Sequence, residues 1–303
     1  MDNETEHIPV LLKEVIENLN LKDGGRYIDA TLGFGGHTQA IIDQGGRVLG
    51  IEWDPEVLKS VEERLTPWTL RARGRACPGA PRLVLIEGNF AEVKEIAKRN
   101  NFCPVDGVVF DLGISFWHYK KAKRGFSFKD QKLDMRINPH LPVTALDIVN
   151  QLSYEQLSQI FIKLAQEKLA DPIAQALVRA RRLKPISSAQ ELTELVAKIY
   201  RRYRVKTKYQ PATKVFLALR IIVNHELDNL KRGLRGAIEI LKEGGRLLVI
   251  TFNSTEDRIV KQFLKQNQKL GRLKNLQLVF PCQEEINRNP LARSAKLRVV
   301  VKI

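Results

Sequence analysis

The segment Tyr27-Ile-Asp-Ala-Thr-Leu-Gly-Phe-Gly-Gly-His37 decides the fold. An apolar run leads into the acidic residue Asp29, then into a glycine-rich turn, and then into residues with helical spacing. Because glycine has no Cβ atom, Gly33, Gly35 and Gly36 allow the backbone to turn tightly and to approach a ligand closely. The segment predicts a strand, a ligand-binding turn and a helix, although a strand-to-helix turn without a ligand has the same pattern.

Short apolar runs alternate with amphipathic stretches over the first 115 residues. The predicted strands are Arg26–Ala30, Arg47–Glu52, Leu83–Glu87 and Val105–Leu112, and the predicted helices are Thr38–Gln44, Pro55–Leu65 and Ala91–Asn100. This alternation favours a parallel sheet covered on both faces. Asp54 is expected to cap the helix that begins at Pro55. The segment Thr66–Arg82 interrupts the pattern with arginines and prolines, and we expect it to be an exposed basic loop.

From about Ala145 to Tyr209 the pattern changes to helices alone. Ser153-x-x-Gln156 and Ser188-x-x-Glu191 have the form of capping boxes, which mark the starts of helices. Predicted strands then return at Arg246–Thr251, Leu276–Phe280 and Leu297–Ile303. We therefore expect an α/β domain formed by residues 1–120 and 213–303, interrupted by an all-helical domain over residues 121–212.

The composition favours a polyanionic partner. Lys and Arg total 50 against 34 Asp and Glu, a formal net charge of +16. An excess of basic residues stabilises binding to phosphates through counterion release. A surface with many solvated basic side chains is the alternative explanation for the excess. Cys77, Cys103 and Cys282 lie far apart and predict no metal site. No signal peptide or membrane span is evident, so we expect a soluble cytoplasmic protein.

Two kinds of nucleotide cofactor bind at a glycine-rich turn after a strand. A dinucleotide fingerprint has the form G-x-G-x-x-G, but Thr38 occupies its third glycine position, which counts against an NAD-dependent oxidoreductase. The run Asp29-x-x-x-Gly33-x-Gly35 is instead typical of methyltransferases that bind S-adenosylmethionine. Glu52 ends the second predicted strand, 19 residues after Gly33, where a carboxylate can accept hydrogen bonds from both ribose hydroxyls.

Two more residues follow predicted strands. Phe90 comes after the third strand and is a candidate to pack against the adenine ring, although such a residue more often belongs to the core. Asp111 ends the fourth strand in Phe110-Asp-Leu-Gly-Ile-Ser115. The carboxyl ends of strands in an open α/β sheet face the ligand crevice, so we expect Asp111 to be functional.

Seven blocks, spread almost from end to end of the chain, carry a resemblance to a known family. They are His7–Glu14, Asp29–His37, Phe110–Ser115, Arg124–Phe128 with Leu133–Arg136, Phe216–Leu227, Gly244–Lys261 and Asn289–Arg298. On these blocks the chain resembles the ribosomal RNA small subunit methyltransferase H family, also called MraW. Members of this family methylate N4 of a cytosine in the decoding region of 16S rRNA.

The resemblance implies a class I, Rossmann-like, S-adenosylmethionine-dependent methyltransferase fold with an inserted all-helical domain. It implies that the partner is 16S rRNA within the 30S subunit and that no membrane is involved. The formation of a homodimer stays possible. His118 aligns with a cofactor contact that is usually Gln in the family. The other implied cofactor contacts are Gly35, Gly36, His37, Glu52, Phe90 and Asp111, to which the glycine turn adds Gly33.

The sequence departs from the family pattern near the predicted catalytic residues. Phe116 and Trp117 follow Ser115 where the family usually has a second Ser, and Asn253 replaces a usual His. Methylation of a cytosine amine needs in-line placement and a hydrogen-bond acceptor more than a strong base, because the N–H becomes acidic as the methyl group adds. We expect Asp111, Ser115 and Asn253 to be the candidate acceptors.

Two alternatives to this function stay open. A catalytically silent ribosome-assembly factor would explain the missing His, but the intact cofactor residues argue against it. A methyltransferase acting on DNA or on a small molecule would share the cofactor site, but it has no need of the helical domain.

Predicted RNA contacts lie in the helical part of the chain. Phe126 and Phe128, between Arg124 and Lys129, are candidates to stack on an extruded base, or else to anchor a loop. The densest basic runs contribute Arg179, Arg181, Arg182, Arg201, Arg202 and Arg204 as phosphate contacts. A solvated helix face is the alternative explanation for these runs.

Overall fold

A computed structural model describes residues 9–71 and 82–303, and over 66–71 it describes the backbone alone. The chain divides into two units. The first comprises the residues up to Gly113 together with Leu227–Ile303, and the second is Ile114–Glu226. The second unit is wider than the expected bounds 121–212, because the apolar face of the helix over Thr213–Val223 belongs to its core.

A seven-stranded sheet is the framework of the first unit as far as the structure describes it. The strands are β1 (Arg26–Asp29), β2 (Arg47–Glu52), β3 (Leu83–Glu87), β4 (Val105–Asp111), β5 (Leu241–Thr251), β6 (Leu273–Val279) and β7 (Lys296–Lys302). Their order is β3-β2-β1-β4-β5-β7-β6, and β7 runs antiparallel to both of its neighbours. From β1 the strand order continues through β2 and β3 toward one edge of the sheet, and from β4 it continues toward the other edge. In open α/β sheets, ligands bind at the carboxyl ends of the strands where the order reverses in this way.

The central strands β1, β2 and β4 and the second half of β5 are largely apolar because both of their faces are buried, whereas the edge strand β6 is mostly exposed. Ile28, Leu49, Val108, Leu247 and Val249 are fully buried in one core with residues of the covering helices. The helices of this unit are α1 (Leu12–Leu19), α2 (Gly36–Asp43), α3 (Pro55–Arg71), α4 (Val93–Arg99), α11 (Glu226–Ile240, which begins in the second unit), α12 (Ser254–Lys269) and α13 (Gln283–Arg288).

Helix α3 corrects one sequence-based expectation. Residues 66–71 continue the helix as far as Arg71 and do not belong to a loop. The arginines that suggested a loop have a high helix propensity, which explains the error at Arg71. The rest of the expected basic loop, residues 72–81 with Arg73 and Arg75, lies outside the described residues.

The second unit is helical. Its helices are α5 (Phe116–Lys120), α6 (Ala145–Gln151), α7 (Tyr154–Ala165), α8 (Ala170–Leu183), α9 (Ala189–Arg202) and α10 (Thr213–Val223). The capping box predicted at Ser153 and Gln156 is confirmed. At Ser188 the side chain accepts a hydrogen bond from the Glu191 N–H, but the Glu191 carboxylate accepts from the Ser187 N–H instead of returning to Ser188.

A buried pair fixes the direction of α9 relative to α8. The Tyr200 hydroxyl lies 2.8 Å from Glu167 Oε2, and Glu167 Oε1 accepts a hydrogen bond from the Leu169 N–H. Glu167 lies three residues before the start of α8, whereas Tyr200 lies in the last turn of α9. The carboxyl end of α9 therefore lies beside the amino end of α8.

Across residues 9–71 and 82–303, no helix is both long enough and apolar enough to cross a membrane.

Candidate active site

Asp29, the last residue of β1, connects the strand to α2 by a side-chain hydrogen bond. The Asp29 side chain is fully buried, and its Oδ2 atom accepts a hydrogen bond from Thr38 Oγ1 at 2.8 Å. Its Oδ1 atom accepts from the Thr31 N–H at 3.3 Å. Burial raises the pKa of Asp29, although His37 and Thr38 act in the opposite direction. Thr38, which replaces the third glycine of a dinucleotide fingerprint, thus ties the start of α2 to the end of β1.

The three glycines of the turn serve two purposes. Gly33 and Gly35 have φ angles of +50° and +70°, which only glycine adopts at little cost. At Gly36 a Cβ atom would lie 2.5 Å from Cγ of Pro9. Gly33 and Gly35 are therefore required for the shape of the turn, and Gly36 is required for the approach of the segment before α1.

Glu52, at the end of β2, organises the backbone of the same turn. Its Oε2 atom accepts from the Gly33 N–H at 2.9 Å, and its Oε1 atom accepts from the N–H groups of Trp53 and Asp54 at 2.8 Å. A carboxylate has about four acceptor positions, so within the described part of the chain one position on Oε2 stays open. Glu52 therefore keeps an acceptor position for a ribose hydroxyl, and hydrogen bonds to both ribose hydroxyls stay a prediction.

The surroundings of Glu52 disfavour its ionised form. Burial raises the pKa of Glu52 to about 7, although the three N–H donors lower it. The neighbouring Asp54 has the predicted structural role, since its Oδ1 atom accepts from the Glu56 N–H at 3.0 Å in the first turn of α3.

Asp111, at the end of β4, faces His37, the second residue of α2. Asp111 Oδ2 and His37 Nε2 lie 3.5 Å apart, and the Asp111 N–H donates to Thr31 Oγ1 at 2.6 Å. Within the described residues, both ring nitrogens of His37 and the Oδ1 atom of Asp111 are buried without a hydrogen-bond partner. Buried polar atoms without partners are rare in folded proteins, which makes this pair a candidate for contact with a polar ligand.

The charges around His37 favour its protonated form. Burial lowers the pKa of the imidazole, but Asp111, Asp29 and Glu285 together outweigh burial and raise it. The imidazole thus lies near acidic side chains that come from β4, β1 and α13. Within the described part of the chain, no group of His, Cys, Asp and Glu side chains is arranged to hold a metal ion.

Phe90 begins a short 3₁₀ turn, Phe90–Glu92, after β3. Its ring packs edge-on against Phe110, with the ring centroids 5.7 Å apart. A Cβ atom at Gly233 would lie 2.9 Å from the Phe90 ring, so α11 also packs closely here. One part of Phe90 therefore belongs to the core, and because the residue is only half-buried, its role beside an adenine ring stays a prediction.

Ser115 and His118 form a pair at the start of α5, in the second unit. Ser115 Oγ lies 2.9 Å from His118 Nδ1, and His118 is buried between the rings of Trp117 and Phe126. Ser115 precedes the helix but its side chain makes no capping hydrogen bond. When its hydroxyl donates to His118 Nδ1, its oxygen keeps the capacity to accept a hydrogen bond.

Asn253 is not available as an acceptor, which corrects the sequence-based expectation. Its Oδ1 atom accepts from the N–H groups of Thr255 at 3.0 Å and Glu256 at 2.9 Å, which uses both lone pairs of the oxygen. Glu256 Oε2 in turn accepts from the Phe252 N–H at 2.9 Å. Asn253 is the N-cap of α12, a role for which Asn is among the preferred residues.

Replacing Asn253 by Ala is expected to lower the free energy of unfolding by about 1 kcal/mol, because the first turn of α12 loses its cap. Asn253→Ser keeps a capping oxygen and should stay close to the unsubstituted protein. Urea denaturation of the three proteins measures the difference. Equal stability of the Ala and Ser variants would contradict the capping role.

Phe126 and Phe128 have surroundings that favour a structural role. Phe126 is 4% exposed and lies in the core of the helical unit, so the expectation that it stacks on a base was wrong. Phe128 is half-buried and packs against Phe216, with the ring centroids 4.7 Å apart. Asn224 holds the same loop, since its side chain accepts from the Ile137 N–H and donates to the Met135 carbonyl.

The predicted phosphate contacts form two separate groups. Arg181 is half-buried and donates to the Val149 carbonyl at 2.8 Å, which is a structural contact. The remaining arginines are exposed; they are Arg179 and Arg182 in α8, and Arg201, Arg202 and Arg204 at the end of α9. Because the end of α9 lies beside the start of α8, the groups are separated by about the length of α8, roughly 20 Å.

Sequence reasoning overlooked Glu285. Its Oε1 atom accepts from the Leu11 N–H at 2.6 Å, across 274 positions of the chain. No local pattern marks this contact, since it joins α13 to the residue before α1. The only available signal was the position of Glu285 shortly before the block Asn289–Arg298.

Strand order, the glycine turn after β1 and acidic residues at the ends of β2 and β4 define a class I methyltransferase fold. The chain belongs to the MraW methylase family, whose model matches residues 4–303.

Two relatives are similar over almost their whole length. Ribosomal RNA small subunit methyltransferase H of Syntrophobacter fumaroxidans is 41% identical, over 98% of this chain and 96% of the relative. The enzyme of the same name from Coprothermobacter proteolyticus is 42% identical, over 100% of this chain and 98% of the relative. A solved rRNA methylase from Streptococcus thermophilus has a TM-score of 0.44 at 12% identity, over 96% of this chain and 93% of that chain. Family membership rests on the sequence matches.

Proposed function

We propose that the protein transfers a methyl group from S-adenosylmethionine to N4 of a cytosine in 16S rRNA. The observation that carries the proposal is the buried pair of His37 and Asp111, with its unsatisfied polar atoms, at the carboxyl end of the sheet. Membership of the MraW methylase family and relatives named ribosomal RNA small subunit methyltransferase H support the substrate class.

The polar atoms of the site fit S-adenosylmethionine. Its amino-acid part carries an ammonium and a carboxylate group, and Asp111 Oδ1 is an acceptor for the first while the His37 ring N–H groups are donors for the second. The open position on Glu52 Oε2 accepts a ribose hydroxyl. An inorganic anion alone would leave Asp111 Oδ1 unsatisfied, so a ligand with both charges fits better.

The protein contributes binding, orientation and a hydrogen-bond acceptor. When bound, S-adenosylmethionine supplies an electrophilic methyl group on its sulfonium sulfur. The proposed binding mode assigns Asp111 Oδ1 to the ammonium group of the cofactor, and Asn253 caps α12, so Ser115 is the remaining member of the predicted acceptor set. Its oxygen would accept a hydrogen bond from the cytosine amine and so orient the lone pair of the nitrogen. In the overall reaction the N–C bond forms as the S–C bond breaks, S-adenosylhomocysteine leaves, and the amine proton passes to solvent.

The exposed arginines of α8 and α9 are the proposed contacts to the RNA backbone. Two basic groups roughly 20 Å apart suit phosphates that are several nucleotides from one another. Arg181 has a structural hydrogen bond and is left out of this surface. The partner proposed here is 16S rRNA within the 30S subunit.

The proposal is tested with methyl-labelled S-adenosylmethionine and 30S subunits that lack the modification, followed by digestion of the RNA and mass spectrometry. We expect N4-methylcytosine in the decoding region of the unsubstituted protein's product, and a much lower rate for Ser115→Ala at unchanged cofactor affinity. Naked 16S rRNA and DNA serve as alternative substrates. Cofactor binding without transfer to any of them would support a silent assembly factor instead.

A further inference from the structure

Glu285 joins the C-terminal part of the first unit to the start of the described chain. Glu285 Oε1 accepts from the Leu11 N–H at 2.6 Å. Leu11 is fully buried and has a φ angle of +54°, a backbone conformation that a leucine adopts only when its surroundings hold it. The hydrogen bond to Glu285 is one of the contacts that hold it.

The segment Pro9–Leu11 lies directly against the start of α2. A Cβ atom at Gly36 would lie 2.5 Å from Cγ of Pro9 and 3.1 Å from its Cβ atom. Gly36 is followed by His37, whose side chain is 4% exposed. Glu285 therefore fixes the segment that packs against the residue preceding the buried imidazole.

The Glu285 carboxylate also acts on His37 through its charge. The acidic groups whose charges act on His37 are Asp111 from β4, which lies 3.5 Å away, Asp29 from β1 and Glu285 from α13, and all three raise the pKa of the imidazole against the effect of burial. The pKa of Glu285 is raised, mainly by burial and also by the charge of Glu14 in α1. The hydrogen bond from Leu11 and the charge of His37 act in the opposite direction. Glu285 is thus coupled both to the backbone of the Pro9–Leu11 segment and to His37.

We propose that Glu285 is a positioning residue for the cofactor. It holds Pro9–Leu11 against α2 and supplies the third carboxylate whose charge acts on His37, so that the imidazole is ready to bind the carboxylate of an amino-acid ligand. The identity of that ligand rests on the proposed function, whereas the coupling between Glu285 and His37 does not.

The test separates the two contributions with two substitutions. Glu285→Gln keeps an oxygen for the Leu11 N–H but removes the charge, and Glu285→Ala removes both. Glu284→Gln is the matched control, because Glu284 is the preceding residue of the same helix and is exposed. The first measurement is an NMR titration of His37 in the ligand-free protein, with its signal assigned from the spectrum of His37→Gln.

We expect Glu285→Gln to lower the pKa of His37 and Glu284→Gln to leave it unchanged. A protonated His37 favours a carboxylate ligand, so affinity is present below the pKa of His37 and is lost as pH rises through it. Calorimetry with S-adenosylmethionine should therefore show Glu285→Gln binding about 3- to 10-fold more weakly at pH values above the pKa of His37 in the variant, with little change well below it. Glu285→Ala should bind more weakly at every pH.

Two outcomes would overturn the proposal. The first is an unchanged titration of His37 in Glu285→Gln, and the second is a cofactor affinity of Glu285→Gln that matches Glu284→Gln at every pH. If the Glu285→Ala variant does not fold, the His37 titration and the cofactor affinity of Glu285→Gln are sufficient to test the proposal. A lowered pKa of His37 without any binding of S-adenosylmethionine by the unsubstituted protein would leave the coupling standing and refute the proposed function.

Discussion

Replacing Asp111 by Ala is expected to weaken S-adenosylmethionine binding at least about 30-fold and to abolish methyl transfer. Asp111 faces the buried His37 at 3.5 Å, and its Oδ1 atom is buried without a partner in the described part of the chain. Removing one member of a buried charge pair costs about 2–5 kcal/mol, much of it from the charge left unpaired. Such a loss corresponds to roughly 30- to several-thousand-fold in affinity.

Calorimetry with S-adenosylmethionine measures the effect of Asp111→Ala, and circular dichroism shows whether the variant is folded. Asp111→Asn is an informative intermediate, since it keeps an acceptor oxygen but not the charge. Asp228→Ala removes a carboxylate of the same unit whose side chain is 75% exposed, and it should bind like the unsubstituted protein. A folded Asp111→Ala protein with unchanged affinity would refute the assignment of the cofactor site.

The second large effect concerns Glu52 and the pH dependence of stability. Burial raises the pKa of this carboxyl from 4.5 to about 7 in the folded protein. The folded state then holds the proton more tightly than the unfolded state does. The resulting stabilisation is fully present below pH 4.5 and is lost as the pH rises through 7. The difference corresponds to about 3 kcal/mol, at about 1.4 kcal/mol for each pH unit between the two pKa values.

Glu52→Gln removes the ionisation and isolates this contribution. We expect the stability of the unsubstituted protein relative to Glu52→Gln to fall by about 3 kcal/mol between pH 4.5 and pH 7 or above. Urea denaturation at a series of pH values, without ligand, measures it. Glu63→Gln replaces an exposed carboxylate on α3 and should show no such trend. A difference between wild type and Glu52→Gln that stays constant with pH would contradict the expected effect.

The cost of ionising Glu52 has a functional explanation. A carboxylate that faces three backbone N–H groups keeps the turn after β1 in shape, and its open position on Oε2 is suited to a ribose hydroxyl. Perturbed carboxyl groups of this kind concentrate at binding sites, where ligand contacts offset the penalty. Glu52 therefore links the stability of the ligand-free protein to the affinity of the site.

The sequence by itself determined the features that depend on neighbouring residues. The bounds of β2 and β3, the cap at Asp54 and the turn at Gly33 and Gly35 follow from strand patterning, capping chemistry and positive φ angles, which act over a few residues. The places of Glu52 and Asp111 at strand ends were predictable because parallel strands bring their carboxyl ends to one edge of a sheet.

Only the tertiary structure decided which partner each polar or aromatic group takes. Asn253 is equally suited to accept a hydrogen bond from a substrate or from a helix, and its position before α12 assigns it to the helix. The Phe126 ring is equally able to stack on a nucleotide base or to pack in a hydrophobic core, and the packing of the helical unit places it in the core. The contact between Glu285 and Leu11 spans 274 positions, and no pattern of neighbouring residues encodes a hydrogen bond that forms only when the chain has folded.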